Sequence, residues 1–498
     1  MTALVKSISF DGTKIIPIEV QVQIASGLSR FEIVGLGDKS VSEARARIIS
    51  ACKSIGINWP AGRVTVNLAP ADREKRGTHF DLPIAVGVLM EMKKIPKHSM
   101  DNTYLMGELG LNGTLAKIAG VLAGACGIKK ENKTLICPWV QAQEAMFSGN
   151  DKVVPLNSLF DVIEFANTGY VPSLPEFSKE KEEDFSLKFD DIKGHESAKE
   201  AMIISATGRH HVLMIGPPGS GKSMLAKAMP SILPPMTPEE QIEVSTIYSL
   251  AGKLSHQIQT RPFRAVHHSA SEISLVGGGL NAIPGEISLA HTGILFLDEL
   301  PEFNRKVLEM LRQPLESGEI LISRANRHIS YPASVQMITA MNPCPCGYFG
   351  NLEKECSSAP RCAEKYQSKI SGPFLDRIDL SFSVQPVKPW DEMKATIGSK
   401  EAREKVQIGR EFGQNRLKKI LKNPPLYNSN LEGKDLDAVV NLTDEAQEFL
   451  IEMSKYHDLS ARGYHRVLKV SRTIADLRKS DEVEKNDIAT AFSYRIKR

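Results

Sequence analysis

The run Gly216-Pro217-Pro218-Gly219-Ser220-Gly221-Lys222-Ser223 carries the clearest chemistry in this chain. Glycines at these intervals let successive backbone N–H groups turn inward and cradle phosphate oxygens. Lys222 then supplies a cation for the β- and γ-phosphates, and the Ser223 hydroxyl an oxygen ligand for Mg²⁺. The implied ligand is ATP with Mg²⁺. Further along, Ile294-Leu295-Phe296-Leu297 ends in Asp298 and Glu299. Of such an acidic pair, Asp298 is placed to bind Mg²⁺ through water and Glu299 to polarise an attacking water as general base. A third apolar run, residues 334–341, ends at Asn342, whose amide is placed to hold that water against the γ-phosphate. The alternative for Asn342 is a turn residue ahead of Pro343.

These groups need a frame, and the flanking residues predict one. His211-Val212-Leu213-Met214-Ile215 reads as a short apolar strand feeding the glycine-rich run, and Ser223 to Met229 opens a helix. In a parallel sheet, functional groups gather at the carboxyl ends of strands, so all three runs are expected side by side. Upstream, residues 1–170 mix strand patterns (20–24, 64–68, 105–111, 134–137) with helical ones (40–55, 81–92), an α/β domain of its own. Pro172 to Asp184, with Lys179-Glu180-Lys181-Glu182-Glu183-Asp184, has the composition of a solvated linker. Beyond residue 388 the pattern turns helical, clearest over 443–456, 460–478 and 485–494. The reading is therefore α/β and multidomain: 1–170, a linker 171–188, a P-loop parallel-sheet core 189–387, and a small helical lid 388–498.

At 498 residues the chain exceeds a single core. A net charge of +3 means any nucleic-acid contact must come from local basic clusters. The start lacks the layout of a signal peptide, and no apolar run approaches the roughly 18 residues of a membrane span. Seven cysteines, an odd number, argue against a secreted disulfide framework. A cytoplasmic protein with no membrane contact is expected.

Several further segments resemble one family. Phe263-Arg264-Ala265-Val266-His267-His268-Ser269, Gly277-Gly278-Gly279, Phe296-Leu297-Asp298-Glu299-Leu300, Ala340-Met341-Asn342-Pro343-Cys344 and residues 371–379 (SGPFLDRID) look like the AAA+ branch that contains subunit I of magnesium chelatase. Across its length the chain resembles the competence-associated, magnesium-chelatase-like ATPases implicated in DNA branch migration. Val266 departs from the proline usual there. The resemblance implies a ring, expected to be a hexamer, with ATP between subunits. Arg377 matches the family's arginine finger, suited to phosphate by its planar charged fork. Arg462 falls where the lid carries a second sensor arginine, with Arg466 one helical turn on as the fallback.

For the substrate, residues 320–331 read as a hairpin with Arg324, Arg327 and His328 near its tip. In related ring motors such a hairpin lines the channel, where basic residues grip phosphates without reading sequence. Arg264 belongs to a segment similar to a second pore-side insertion; the alternative is that both loops pack between subunits. Cys344, Cys346, Cys356 and Cys362 lie close enough in sequence for structural zinc, although their spacing is not the paired CxxC pattern. Residues 77–84 and 107–113 resemble the peptidase domain of Lon-type proteases, but His79 stands at the serine position and Leu122 at the lysine position, with Lys117 near but unaligned. Without that pair there is no activated nucleophile, so a fold without proteolysis is expected. The function expected is an ATP-driven DNA translocase or helicase that promotes branch migration, with recombination proteins as possible partners. A metal-insertion motor is the alternative, and an ATP-dependent protease the third.

Overall fold

The computed structural model describes residues 2–35, 37–72, 74–173, 185–279, 282–324, 327–349, 358–387 and 397–495. Most of the stretch read as a linker, residues 174–184, lies outside them. The N-terminal part is a seven-stranded mixed sheet in the order Arg30–Val34, Arg63–Ala69, Lys14–Ala25, Ala3–Asp11, Thr103–Leu105, Thr134–Pro138, Val153–Leu156. Lys39–Ser54 and the almost fully buried helix Asp81–Glu91 pack with it around one apolar core. The strand read over 105–111 is instead two short pieces, Thr103–Leu105 and Glu108–Leu109, the second pairing with Leu115–Ala116 in its own small ladder.

The core sheet has five strands in the order Phe263–Val266, Ile294–Leu297, Gln336–Met341, Val212–Ile215, Leu380–Ser383, all parallel. Ile294, Leu295, Leu297, Val212, Leu213 and Met214 are wholly buried. Strands covered on both faces are continuous apolar runs of this kind. The lid contributes Ser399–Ile420, Gly433–Val439, Asp444–Tyr456, Ala461–Leu477 and Lys485–Ser493. Its helices start where side chains satisfy free backbone N–H groups: Thr443 accepts from Ala446 N, and Ser460 from Gly463 N. A buried polar contact joins lid and core, with His210 Nε2 at 2.8 Å from Thr473 Oγ1, and within the lid Arg416 Nη2 lies 2.9 Å from Asp476.

The N-terminal domain docks on the core through backbone and side-chain bonds. Gly120 N donates to Ser249 O at 3.0 Å, Leu122 N to Ser249 Oγ at 3.2 Å, and Ser249 Oγ to Glu144 at 2.6 Å. Lys117 Nζ donates to Leu254 O at 3.1 Å. The two positions of the Lon resemblance are thus in structural use: Leu122 is buried at this contact, and His79 is buried with Nε2 2.8 Å from Ile8 O.

Burial lowers the His79 pKa to about 4 from 6.5. A neutral imidazole is therefore favoured in the folded state. Its contribution is fully present above pH 6.5 and is lost as pH falls through 4, on the order of 3 kcal/mol. Asp81 acts in the opposite sense: burial outweighs its ion pair with Arg47 (2.6 Å) and raises its pKa to about 6. Protonation of Asp81 below that pH offsets part of the histidine loss. His79→Gln keeps an amide for Ile8 O but cannot charge, so the variant is expected to lose less stability than the parent between pH 6.5 and 4. Denaturant melts across that range read the difference, and parallel curves would refute it.

Candidate nucleotide site

The glycine-rich run lies where Val212–Ile215 leaves the sheet and Lys222–Ala228 begins. Gly219 (φ 74°) and Gly221 (φ 88°) occupy left-handed backbone that other residues rarely adopt. A Cβ on Gly221 would also lie 3.1 Å from His195 Nε2, so the loop closes against a histidine that sequence reasoning did not single out. Lys222 turns back onto its own loop, with Nζ 2.8 Å from both Gly216 O and Pro217 O and 3.3 Å from Asn342 Oδ1. Desolvation lowers its pKa, and the nearby Asp298 charge opposes that. Ser223 Oγ donates to Asp298 Oδ2 at 2.7 Å. Lys222, Ser223, Asp298 and Asn342, drawn from three strands, therefore meet at one point. A hydroxyl and a carboxylate in contact are the hard oxygen donors that Mg²⁺ takes beside a nucleotide's phosphates, so the residues present fit the ion.

Glu299 stands apart from that group. Its backbone is left-handed (φ 53°), its side chain is about half exposed, and His268 Nδ1 lies 3.3 Å from its Oε2. Nothing in the spacing of the sequence predicted this pairing. The clue was topological: His267-His268 follow the edge strand Phe263–Val266, which pairs directly with Ile294–Leu297.

Arg377 and Arg462 are not at this end of the sheet. Both line a cleft of about 1010 Å³ together with Arg209, His211, Arg466 and Lys469. His211, Val335 and Asp379 also line it, and each directly precedes a core strand. The cleft therefore opens at the amino ends of the strands, whereas the glycine-rich loop lies at the carboxyl ends. A four-residue strand separates the two by roughly 13 Å. Arg377 is held by Glu316 and by Pro373 O at 2.5 Å, and Arg466 donates to Ile378 O at 2.8 Å.

The basic hairpin is present as Glu319–Arg324 paired antiparallel with Arg327–Pro332. Ile320, Ile322, Ile329 and Tyr331 bury one face in the core, and Tyr331 Oη donates to Ala282 O at 3.0 Å. Alternation therefore directs the other face outward. There His328 is exposed, with Nδ1 3.1 Å from Ser323 Oγ. The turn residues 325 and 326, and the side chains of Arg324 and Arg327, lie outside what the structure describes. Arg264, read as part of a segment similar to a second pore-side insertion, sits in the edge strand with Nε 2.6 Å from Glu286 Oε2, an ion pair made within the chain.

The zinc expectation gains no support. Cys356 lies outside the described residues, and among the described residues no group of three or more His, Cys, Asp or Glu side chains is placed to hold a metal. Cys344 Sγ and Cys346 Sγ are 3.1 Å apart, closer than the about 3.8 Å between sulfurs of a tetrahedral zinc site. Their loop has a packing role: Gly347 (φ 84°) presses on the glycine-rich loop so closely that a Cβ there would lie 2.3 Å from Pro218 Cδ.

A phosphate-cradling loop on a parallel sheet, an acidic strand one strand removed from it, and a helical lid define an AAA+ ATPase. Family models agree: magnesium chelatase subunit ChlI matches residues 188–392, its C-terminal part residues 396–495, and a further ChlI model residues 20–141. Competence protein ComM of Haemophilus influenzae is 42% identical over 99% of this chain and 97% of its own length. Uncharacterized protein YifB of Escherichia coli is 37% identical over 96% and 94%. The magnesium-chelatase 38 kDa subunit of Rhodobacter capsulatus is 29% identical over 31% of this chain and half of its own. The chain belongs to the magnesium-chelatase ChlI-like family of AAA+ ATPases, whose activity takes ATP and Mg²⁺. No helix of the described residues is long and apolar enough to cross a membrane.

Proposed function

We propose that the protein is a cytoplasmic ring motor, assembled as a hexamer, that uses ATP hydrolysis to move along DNA and migrate branched junctions. The observation that carries this reading is the hairpin 319–332. Its inner face is locked into the ATPase core by Ile320, Ile322, Ile329 and Tyr331, while its tip carries Arg324, Arg327 and His328 in sequence. Movement of the core is thereby tied to a basic tip able to hold phosphates. The near full-length likeness to a competence protein, 42% identical over 99% of the chain, favours DNA over metal insertion; the 38 kDa chelatase subunit aligns at 29% identity over 31% of the chain.

Within the site, Glu299 takes the proton of the attacking water, Lys222 meets the β- and γ-phosphates, and Asn342 orients the water. Ser223 and Asp298 would hold Mg²⁺, which would neutralise charge on the phosphates. Arg377 and Arg462, at the far end of the sheet from their own loop, act on ATP held by the neighbouring subunit. Arg377→Ala is then expected to lose ATPase activity by about a hundredfold or more. Mixing it with Lys222→Ala protein should restore part of that activity, because some junctions then pair an intact loop with an intact arginine. No recovery on mixing, with mixed rings verified, would refute action between subunits.

The function is tested by ATPase assays over single-stranded, duplex and four-way-junction DNA, with junction unwinding followed in parallel. Stimulation by DNA and ATP-dependent junction movement are expected. Activity indifferent to every DNA, with no junction unwound, would overturn the reading.

A further inference from the structure

The N-terminal domain reaches the basic hairpin directly. Its first two strands are joined by a tight turn, in which Asp11 pairs with Lys14 across Gly12 and Thr13. Loop tips ordinarily lie at the surface, but Gly12 is buried, in left-handed backbone at φ 61°. A Cβ on it would collide with Ser330 O and lie 3.7 Å from Ile329 Cγ2, both on the returning strand of the hairpin. Glycine is the residue that lets two backbones approach so closely. Burial raises the pKa of the neighbouring Tyr331 hydroxyl to about 12, and the Asp11 charge adds to that rise. The strand that carries the turn is pinned from behind. Phe10 lies against Gly120, where a Cβ would sit 2.6 Å from Phe10 Cζ. Gly120 N in turn donates to Ser249 O and Leu122 N to Ser249 Oγ, near the end of the core helix Pro238–Leu250. His79 holds the same strand through Ile8 O. A line of contacts therefore runs from Ser249 through Gly120, Phe10 and Gly12 to Ser330: from one core element, across the N-terminal domain, to the hairpin.

We propose that the N-terminal domain is a brace for the basic hairpin: anchored at Ser249, it presses the Asp11–Lys14 turn against Ser330 and fixes the direction in which the hairpin tip meets DNA. The inference rests on the hairpin being the element that holds DNA. Apolar packing ties the hairpin's inner face to the ATPase core, and the turn supplies a second support on the strand 327–332. Close-packed contacts yield little under load, so movement of the core is passed to DNA rather than spent in bending the hairpin. This role needs no nucleophile from the peptidase-like fold. It employs His79 and Leu122, the residues at the serine and lysine positions of the Lon resemblance, as structural supports of the brace. The loop 216–223 and Asp298 belong to other elements, so the brace acts on DNA handling and leaves ATP binding alone.

The test compares full-length wild-type protein with Gly12→Ala, Gly56→Ala and Ser249→Ala. Gly56 is the control: it lies in the same domain, also in left-handed backbone (φ 77°), but nothing stands within 4 Å of where its Cβ would be. Each protein is assayed for ATPase rate with and without four-way-junction DNA, junction unwinding, affinity for a fluorescent ATP analogue, and melting temperature. Gly12→Ala should lower the DNA-stimulated rate and junction unwinding about tenfold, the scale of overpacking one close contact, with basal rate and ATP affinity within about twofold of the parent. Gly56→Ala should melt lower by a similar amount yet keep the parent's response to DNA. Ser249→Ala loosens the anchored end without touching the turn and should show the same loss in weaker form, which covers a Gly12→Ala protein that fails to fold. Variants that keep the parent's DNA response, or that lose basal rate and ATP affinity in step with it, would overturn the proposal, as would an equal loss in Gly56→Ala. The underlying reading fails separately. If wild-type protein is itself indifferent to DNA, the motor reading falls and the brace with it; if wild type responds and Gly12→Ala responds equally, only the brace falls.

Discussion

Lys222→Ala is expected to abolish ATP binding while leaving the fold intact. The ammonium is largely buried and held by two backbone carbonyls of its own loop, with desolvation already disfavouring its charge. Removing a desolvated cation costs the apo-protein little. Its loss does remove the only lysine of the phosphate-cradling run, and a charge-assisted contact to phosphate is worth about 1.5–3 kcal/mol or more when desolvated. A fluorescent ATP analogue should therefore bind about a hundredfold more weakly or worse. The melting temperature without nucleotide should stay near that of the parent, and the stabilisation that saturating ATP gives the parent should vanish. Retained affinity, or a variant that unfolds without ligand, would remove Lys222 from the site.

Glu299→Gln separates binding from chemistry. Glutamine matches glutamate in size and can still meet His268, so the local geometry survives, but an amide cannot accept a proton from water. Contributions of a general base are typically 10²- to 10⁴-fold, and kcat is expected to fall within about that range. ATP affinity should remain within a few-fold of the parent, because no phosphate contact is assigned to this carboxylate. Quenched-flow single turnovers should show ATP bound and uncleaved. Unimpaired hydrolysis by this variant would refute the base assignment.

How far the sequence revealed the molecule depends on how each residue is stabilised. The phosphate loop, the acidic strand and Asn342 were legible because each combines a buried apolar run with a terminal polar group, and the parallel sheet aligns those ends. Capped amphipathic helices such as Asp444–Tyr456 and Ala461–Leu477 were legible for a similar reason. The longest helix, Ser399–Ile420, left a weaker trace. Its buried face consists of Ala402, Val406, Gly409, Gly413, Arg416 and Leu417, with glycines admitting close neighbours and Arg416 neutralised by Asp476, so apolar periodicity is faint. Ala3–Asp11 was obscured by burial on both faces, which places Ser7 inside with its hydroxyl on Leu105 O at 2.8 Å. Single side-chain contacts were not legible where a partner further along the chain decides them. Arg264 meets Glu286, 22 residues on, in the fold. That Arg377 lies at the opposite end of the sheet from Lys222 follows from the parallel run of the strands, since Arg377 precedes Leu380–Ser383 and Lys222 follows Val212–Ile215.

The most direct test of the central claim is a structure of the wild-type protein with Mg²⁺ and a non-hydrolysable ATP analogue. Lys222 Nζ should leave Gly216 O and Pro217 O for the β- and γ-phosphates, with the ion between Ser223 and Asp298. Nucleotide density away from the 216–223 loop, or Lys222 still folded onto its own carbonyls beside a bound analogue, would contradict the account.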